Sequence, residues 1–378
     1  MKVENFVAGK YLKQYQYECF VPETINRPWT WEDAKVNTLL EQARGALAEL
    51  NAFSFIVPDV DLFTQMHIIK EANQSSKIEG TETSLDEALM DRELIDPERR
   101  DDWQEVQNYI RAMHEALDQL GTLPLSNRLL RNTHAILLEG VRGEHKSPGE
   151  FRASQNWIGD GRNLRDAIFI PPSHEYVPDL MSDLEKFWHN EEIEVPHLIR
   201  IALSHYQFET VHPFQDGNGR IGRLLVTLYL IDKGMLVKPS LYLSDYLERH
   251  RATYYDSLTL VREKNDLLQW IRFFLTALRE TAIKGKSTFQ KILELRQDVE
   301  KRVIGLKRKA HHARQLLSFL YRKPVASIND IAEHLHVSHQ TANALVADFE
   351  RLKILRELTG YKRNRQFGFV EYYMLFFE

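Results

Sequence analysis

The sequence predicts a mainly α-helical protein that contains one β-hairpin and ends in a winged helix-turn-helix domain. Apolar residues recur at helical spacing through most of the chain, as in residues 31–53. Two alternating segments around a Gly-Asp-Gly sequence, within residues 147–178, predict the hairpin. Residues 327–370 show a pattern of helix, short turn, helix and two-stranded ribbon, which is typical of a winged helix.

Length and composition limit the class of protein. A chain of 378 residues exceeds what one core usually fills, so we expect two or three domains. Its 43% hydrophobic and 27% charged residues are typical of a globular protein, and the net charge of −5 argues against nucleic-acid binding over the whole surface. Cys19 is the single cysteine, which excludes an internal disulfide and suits the cytoplasm. The sequence shows no membrane-spanning run and no signal-peptide core, so we expect no membrane contact.

The helices are predicted in chain order from apolar periodicity and end signals. The residues before about 30 lack periodicity and predict an extended arm. Helices follow at 31–53, at 59–80 with Gly80 as a left-handed stop, and at 83–90 with Ser84 and Glu87 as a capping box. Further helices are predicted at 102–121, 126–140, 178–191, 196–211 and 219–234, and a long charged helical run at 287–323. The predicted domains are 1–110, 111–285 and 286–378.

Residues 212–223, HPFQDGNGRIGR, combine the groups that bind phosphate. Gly217 and Gly219 allow left-handed backbone angles and close approach of a ligand. Backbone amides in such a turn, and the free N–H groups of the helix that follows, attract anions. Arg220 and Arg223 are three residues apart, so both lie on one face of that helix and can contact phosphate oxygens.

The same stretch holds a metal ligand and a base. Asp216 is a hard oxygen ligand that suits Mg²⁺ bridging phosphates. Asn218 can hold the loop or bind a phosphate. His212 titrates near neutral pH and can take a proton from an incoming hydroxyl group. Phosphate binding beside a general base predicts phosphoryl or nucleotidyl transfer. The absence of Gly-Lys-Ser/Thr excludes a P-loop.

This stretch resembles the signature of the Fic family, His-Pro-Phe-x-Asp-Gly-Asn-Gly-Arg-x-x-Arg, at every fixed position. The resemblance implies a Fic-type helical core and transfer of AMP from ATP, with Mg²⁺, to a Tyr, Thr or Ser hydroxyl of a target protein. It implies that His212 is the catalytic base and Asp216 the magnesium ligand. The ATP-binding residues it implies are Gly217, Asn218, Gly219, Arg220, Ile221, Gly222 and Arg223.

Two further segments resemble parts of the same family. The predicted hairpin is similar to the flap, which holds the target backbone by β-augmentation, and Ile168 and Phe169 would shape its edge. The sequence TYYDSL is similar to a Tyr-Tyr pair after the core, so Tyr254 would line the adenine pocket. The chain has Arg262 where some relatives have an asparagine.

An upstream segment, SSKIEG, resembles the inhibitory motif Ser/Thr-x-x-x-Glu-Gly/Asn of some Fic proteins. It spans Ser75 to Gly80 at the end of a predicted helix. The resemblance places Glu79 opposite Arg223, where it would restrain the enzyme. A trailing winged helix is also typical of this subgroup.

The C-terminal module leaves its partner open. Ser327 with Asp330, and Ser338, are predicted caps of its two helices. The N-terminal end of the second helix is predicted to be exposed, and the wing carries basic side chains. Both features favour binding in a groove of DNA. The residues concerned are His339, Gln340, Thr341, Asn343, Lys362, Arg363 and Arg365. Acidic Asp348 and Glu350 argue against DNA binding. Winged helices also serve as protein-binding and dimer modules. The partner of this domain can therefore be DNA, another protein or a second copy of the chain.

Three functions therefore stay open from the sequence. The first is a self-restrained protein AMP-transferase. The second uses the same site for another nucleotidyl or phosphoryl donor, or for removal of AMP with Glu79 positioning a water. The third is a DNA-binding regulator with a weakly active core, which the intact motif argues against.

Overall fold

The structure is a computed structural model that describes residues 1–56, 60–159, 164–306, 309–361 and 364–377, without the side chains of residues 56 and 60–62. It confirms the mainly helical fold class. The turn of the predicted hairpin at residues 160–163, and Lys362 and Arg363 of the wing, lie outside the described residues. No helix in the described ranges has the length and apolar character needed to cross a bilayer.

The N-terminal segment forms a β-hairpin, so the predicted extended arm is wrong. Strands β1 (Gly9–Lys13) and β2 (Glu18–Pro22) pair in antiparallel fashion. Their turn is closed by the Gln14 N–H, which donates to the Tyr17 carbonyl at 2.7 Å. That turn holds no glycine, asparagine or aspartate, so the sequence lacks the usual hairpin signal.

The helices up to residue 234 follow the predicted order, and α7 lies at the centre of this part. Helices α9 and α10 were not predicted, and the helical run predicted at 287–323 is divided between α11 and α12 (Ala310–Arg322). Every residue of α7 from Leu198 to Val211 is buried, and the helix packs against α1, α6, α8 and α11. The helices of this part are α1 (Ala34–Ile56), α2 (Val60–Ile78), α3 (Leu85–Ala88), α4 (Arg100–Leu120), α5 (Asn127–Leu137), α6 (Val177–His189), α7 (His197–Val211), α8 (Asn218–Asp232), α9 (Ser244–Arg249), α10 (Arg251–Lys264) and α11 (Leu267–Ile304).

The helix caps and the left-handed helix stop occur where the sequence predicted them. Gly80, after α2, has a φ of 99°, which confirms the left-handed stop. Ser84 and Glu87 form both bonds of a capping box at α3. Ser327 and Asp330 form another at the start of α13 (Ile328–Leu335). These caps depend on residues within three positions, so sequence alone is sufficient to find them.

The C-terminal part is a winged helix. It contains α12 (Ala310–Arg322), β3 (Val325–Ser327), α13, α14 (His339–Arg351), β4 (Arg356–Glu357), β5 (Gln366–Gly368) and α15 (Val370–Tyr373). The sheet order is β3-β5-β4, so the predicted two-stranded ribbon gains β3 as a third strand. Ser338 caps α14 by accepting from the Thr341 N–H.

The two parts of the chain are joined by α11 and by packing on α2. The predicted boundary between residues 285 and 286 falls inside α11, a continuous helix of 38 residues, and the boundary between 110 and 111 falls inside α4. Near the start of α2, the ring of Phe63 lies 5.2 Å from the ring of Tyr321 and 6.1 Å from the ring of Tyr372. The exact domain limits stay a prediction.

Candidate active site

His212 follows the end of α7 in a left-handed conformation. Its φ is 49°, and its N–H still donates to the Phe208 carbonyl at 2.9 Å. Such angles are strained for a residue with a Cβ and persist only where the surroundings fix them. The chain therefore turns sharply at the imidazole, which it directs away from the helix axis.

Arg152 and Asn156 fix this turn from the segment before the flap. The Arg152 Nε donates to the His212 carbonyl at 2.9 Å, and its Nη2 donates to the carbonyls of Val211 and Pro172. The Asn156 Nδ2 donates to the Phe214 carbonyl at 2.8 Å. Both side chains are buried and bind backbone oxygens, so they act as a rigid scaffold behind the loop.

His134 of α5 holds the other end of the loop. Its ring stacks on Phe214 with centroids 3.9 Å apart. Its Nδ1 accepts from the Gly149 N–H at 2.9 Å, so Nε2 carries the hydrogen that is donated to the Asp216 carbonyl at 3.0 Å. Burial lowers the pKa of His134 to about 4, which keeps the ring neutral in this role.

The start of α8 forms the anion-binding turn. Gly217 precedes the helix with a φ of 72°. The Asn218 side chain accepts from the Phe214 N–H and donates to its carbonyl, each at 2.8 Å. Asn218 therefore holds the loop with its side chain and offers a ligand its backbone N–H. The N–H groups of Asn218, Gly219 and Arg220 occupy the first turn, where a helix supplies no acceptor.

Asp216 fits the role of a magnesium ligand that acts together with a nucleotide. Its side chain is 45% exposed, and its Oδ1 accepts from the Gly217 N–H at 2.6 Å. Among the described residues, no cluster of three His, Cys, Asp or Glu could hold a metal ion. Because Mg²⁺ takes one or two carboxylates together with phosphates, a single carboxylate beside an anion-binding turn is sufficient.

The two arginines of the motif differ in their partners. Arg220 is buried, and its Nη1 donates to Glu105 of α4 at 3.1 Å. Arg223 is also buried, and it contacts the end of α2. Its Nε donates to the Ser75 Oγ at 2.8 Å, and its Nη2 donates to the Ser75 carbonyl at 2.9 Å and to Glu79 Oε1 at 2.6 Å.

The carboxylate of Glu79 lies over the first turn of α8. A Cβ built on Gly219 would be 2.3 Å from Glu79 Oε1, so only glycine allows this approach. The Glu79 side chain is 35% exposed and faces the pocket. Desolvation would raise the pKa of Glu79, but the charge and hydrogen bond of Arg223 prevail and hold it below its ordinary value. An ionised carboxylate thus occupies the anion-binding turn.

The imidazole of His212 is neutral at physiological pH. Burial, together with the charge of Arg152, lowers the pKa of His212 to about 4, although a backbone hydrogen bond at Glu209 and the charge of Glu79 oppose the shift. Its Nδ1 is buried, which leaves Nε2 as the nitrogen that can meet a ligand. A neutral imidazole beside an anion-binding turn is what a proton acceptor in phosphoryl chemistry requires.

Three of the predicted ATP-binding residues lie deeper than the loop. Ile221 is buried, and its N–H donates to the Gly217 carbonyl at 3.1 Å, inside the helix. The Gly222 carbonyl accepts from His205 Nδ1 at 2.8 Å. Tyr254 is fully buried, with its hydroxyl 2.9 Å from His205 Nε2, whereas the adjacent Tyr255 is partly exposed. The predicted contact of Tyr254 with adenine stays a prediction.

The predicted flap lies beside His212 as an extended segment. Ile158 and Phe169 form one antiparallel bridge, and the Ile158 N–H donates to the Phe169 carbonyl at 2.9 Å. The Ile168 side chain is 80% exposed, whereas Phe169 is buried under Arg262, whose guanidinium lies 3.8 Å from the ring centroid. Ile168 therefore faces solvent, and Phe169 attaches the segment to α10.

The structure brings Glu79, Ser75 and the motif together, and it adds residues that sequence reasoning missed. Glu105, His134, Arg152 and Asn156 come from three segments that are remote in sequence. A polar side chain in an apolar helical face, such as His134 between Leu130 and Leu137, is the one available sequence signal. It does not say which loop the side chain contacts.

Comparison with known proteins agrees with this geometry. A model described as "Fic/DOC family N-terminal" matches residues 37–118, and one described as "Fic/DOC family" matches residues 124–230, which include the motif. The chain belongs to the Fic/DOC family. A third model, "HTH DNA binding domain", matches residues 314–370.

Relatives and solved structures give the same family and fold. "Protein adenylyltransferase Fic" of Aedes aegypti is 26% identical over 66% of this chain and 47% of its own length. The protein of that name from Culex quinquefasciatus is 33% identical over 35% of this chain and 24% of its own. This Fic chain thus spans less than half the length of these relatives. A Fic family protein from Desulfovibrio desulfuricans shares the fold with a TM-score of 0.58 and 20% identity, over 90% of this chain and 98% of that one.

One further carboxyl group lies under the Fic loop. Glu209 of α7 is 7% exposed, and among the described residues its Oε1 has no hydrogen-bond partner. A Cβ on Gly222 would lie 2.2 Å from this oxygen. Burial raises the pKa of Glu209 to about 7, although Arg223 opposes the rise and Glu79 adds to it.

We expect Glu209 to make stability depend on pH near neutrality. Between its ordinary pKa of 4.5 and about 7, the folded chain holds a proton that the unfolded chain has lost. This stabilisation is present at low pH and is lost as the pH rises through 7. At 1.36 kcal/mol for each pKa unit, it reaches roughly 3 kcal/mol.

The measurement is the unfolding free energy of wild type and Glu209→Gln between pH 5 and pH 8. The wild type should lose more stability over this range than the variant. Groups such as His212 titrate in both chains and cancel in the difference. Exposed Glu139→Gln is the control and should follow the wild type. Parallel curves for Glu209→Gln and wild type would show that Glu209 keeps an ordinary pKa.

Proposed function

We propose that the chain transfers AMP from ATP to a hydroxyl side chain of a target protein. The observation that supports this is one pocket in which a neutral His212 meets the anion-binding turn of α8, with Arg220 and Arg223 behind it. The relatives named protein adenylyltransferase support the same reaction. ATP is then the donor, and a protein that presents a Ser, Thr or Tyr hydroxyl is the acceptor.

In the proposed reaction the hydroxyl oxygen of the target attacks the α-phosphorus of ATP. His212 Nε2 takes the hydroxyl proton, a new P–O bond forms, and the bond to the β-phosphate oxygen breaks, so that pyrophosphate leaves. The backbone N–H groups at Asn218 and Gly219 face the charge that develops on the phosphate oxygens. Mg²⁺ held by Asp216 would neutralise phosphate charge.

We further propose that Glu79 restrains this reaction. Its carboxylate lies over Gly219 and pairs with Arg223, the position that the γ-phosphate would take. ATP that binds beside this carboxylate has its phosphates displaced, and misplacement of about 1 Å can cost on the order of 100-fold in rate. The proposal explains why an ion pair, rather than an empty basic site, lies at the phosphate turn.

A second candidate uses the same pocket for removal of AMP from a modified protein. The observation that favours it is the exposed part of the Glu79 carboxylate, which faces the pocket close to His212 and could orient a water. Loss of preformed AMP label from a modified protein, without added ATP, distinguishes this reaction from transfer. A DNA-binding role for residues 314–370 stays a separate proposal, favoured by the exposed start of α14.

We expect Glu79→Gly to label itself and a target with AMP far more strongly than wild type, on the order of 100-fold. The substitution removes the carboxylate from the phosphate turn and frees Arg223. Arg223→Ala should gain little, because it loses a phosphate contact together with the restraint. Incorporation of labelled AMP from ATP is the measurement.

Glu82→Gly is the matched control for this comparison, since Glu82 is exposed three residues beyond Glu79 and contacts α4 through its backbone. It should behave as wild type. Equal labelling of wild type and Glu79→Gly would contradict the restraint, and Glu79 would then be an ordinary helix-end carboxylate.

We expect His212→Ala, made in the Glu79→Gly background, to abolish AMP transfer and to leave ATP affinity within a few fold. The imidazole acts on the target's proton and lies beside the phosphate turn rather than within it. Labelling measures transfer, and calorimetric titration measures ATP binding. Transfer that continues at a near-normal rate would rule out His212 as the base.

We expect Ile168→Asp, in the Glu79→Gly background, to reduce labelling of a protein target more than it reduces ATP affinity. Ile168 is exposed on the flap, so the change should not disturb the core, whereas Phe169 is buried and is unsuitable for this test. The exposed Ile304 near the end of α11 gives a matched control as Ile304→Asp. If Ile168→Asp reduces both quantities equally, the segment only supports the fold.

A further inference from the structure

A small polar cavity lies beside the middle of α2. It is lined by residues of α2, α9 and α11, by Ser240 and Tyr242 of the segment between α8 and α9, and by Phe376 near the C-terminus. Its volume is about 40 Å³. Since a water needs roughly 10–15 Å³ on this measure, the cavity has room for about three waters or for one tetrahedral oxyanion.

Basic side chains converge on one wall of this cavity. Lys70 Nζ, Lys284 Nζ and Arg249 Nη2 lie 3.6, 3.2 and 3.2 Å from the same atom, Asp245 Oδ2. One carboxylate oxygen cannot neutralise three cations. The Arg249 side chain is half exposed, so it stands at an opening to solvent.

The second acidic residue in the lining does not balance this charge. The Glu71 carboxylate accepts from the hydroxyls of Tyr109 and Ser244 and from the Ser244 N–H. Burial raises the pKa of Glu71 and lowers that of Lys70 to about 8, so the excess of positive charge follows from the number of basic and acidic groups. With three cations facing two acids, the cavity carries an excess of positive charge.

Four polar atoms in the lining lack a partner among the described residues. They are His67 Nε2, Ser240 Oγ, Tyr242 OH and Thr281 Oγ1. His67, Ser240 and Tyr242 are each more than nine-tenths buried. Burial lowers the pKa of His67 to about 3, so its ring is neutral and can donate from Nε2. Buried polar groups normally have partners, so hydroxyl and N–H donors that lack them indicate a ligand.

We propose that this cavity binds a small tetrahedral oxyanion of the phosphate class. Three cations would supply the charge, and the hydroxyl and imidazole groups would supply hydrogen bonds to its oxygens. The cavity is too small for a nucleoside, so the ligand is the free inorganic ion.

A phosphate ion bound in the cavity would strengthen the proposed restraint of the reaction by Glu79. Lys70 and Glu71 lie on the same helix as Ser75, and Glu79 follows directly after that helix, so Glu79 lies roughly 14 Å along it from Lys70. A bound anion would tie α2 to α9 and α11 and so hold Glu79 at Arg223. This second step depends on the proposed AMP transfer, whereas anion binding does not.

The binding test is a titration of the full chain with sodium phosphate, at ionic strength held constant with sodium chloride. We expect saturable binding by calorimetry and a matching rise in melting temperature. Tyr242→Phe should leave the melting temperature without phosphate unchanged, because its hydroxyl has no partner to lose, and should weaken phosphate binding about tenfold. Lys284→Gln should weaken it at least as much.

Two controls assign the site. Lys286→Gln changes a lysine on the same helix that pairs with Glu49 outside the cavity, and it should keep wild-type affinity. Arg223→Ala removes an anion-binding group of the catalytic turn and should also keep it. Affinity that is lost in Arg223→Ala but unchanged in Lys284→Gln and Tyr242→Phe would place phosphate at the catalytic turn and overturn the proposal. The absence of saturable binding would mean a cavity filled only by water and would overturn it equally.

The coupling is tested separately by AMP labelling at increasing phosphate. Wild-type labelling should fall as phosphate saturates, and labelling by Lys284→Gln should not. If phosphate changes AMP labelling in neither chain, the coupling between the cavity and Glu79 is contradicted. The proposed binding of phosphate is not affected by that result. Failure of Glu79→Gly to label under any condition would instead reject the proposed AMP transfer, without touching the calorimetric result.

Discussion

The arrangement of the site depends on a buried guanidinium that must be paired. The Arg223 side chain is 1% exposed, and a buried charge without a partner is very unfavourable. In this chain α2 provides the partners, through the Ser75 hydroxyl and carbonyl and through the Glu79 carboxylate. Any ligand that displaces Glu79 must offer negative charge in return. The same requirement therefore ties the end of α2 to the first turns of α8.

The loop between α7 and α8 is rigid before any ligand arrives. Its carbonyls are bound by Arg152, Asn156 and His134, and its own Asn218 closes it from within. Every donor in this scaffold meets a backbone oxygen, so the backbone N–H groups of the first turn stay directed at the pocket. Preorganised dipoles of this kind need no rearrangement when charge develops on a substrate.

Helix α2 makes contacts with several parts of the structure along its length. Its end contacts the phosphate turn through Ser75 and Glu79, and its middle lines the polar cavity through His67, Lys70 and Glu71. Its start packs on the winged helix through Phe63. Helix α2 thus connects the turn at the start of α8 with the C-terminal part of the chain through direct contacts.

The sequence by itself determined what depends on near neighbours. The helices up to residue 234, the caps at Ser84 and Ser327 and the left-handed Gly80 follow from patterns a few residues long. Phosphate binding by residues 212–223 is predicted from such a pattern. The family resemblance added the pairing of Glu79 with Arg223, which are 144 residues apart.

The tertiary structure alone decided which distant side chains meet. It showed the N-terminal hairpin, whose turn lacks signal residues, and it assigned His134, Arg152, Asn156 and Glu105 to the loop. It also assembled the cavity from three helices, the segment between α8 and α9, and the C-terminal end, whose lining residues show no common pattern in the sequence. The physical reason is that helical periodicity fixes only which face of a helix is buried, whereas the partner of a buried polar atom is set by how helices pack.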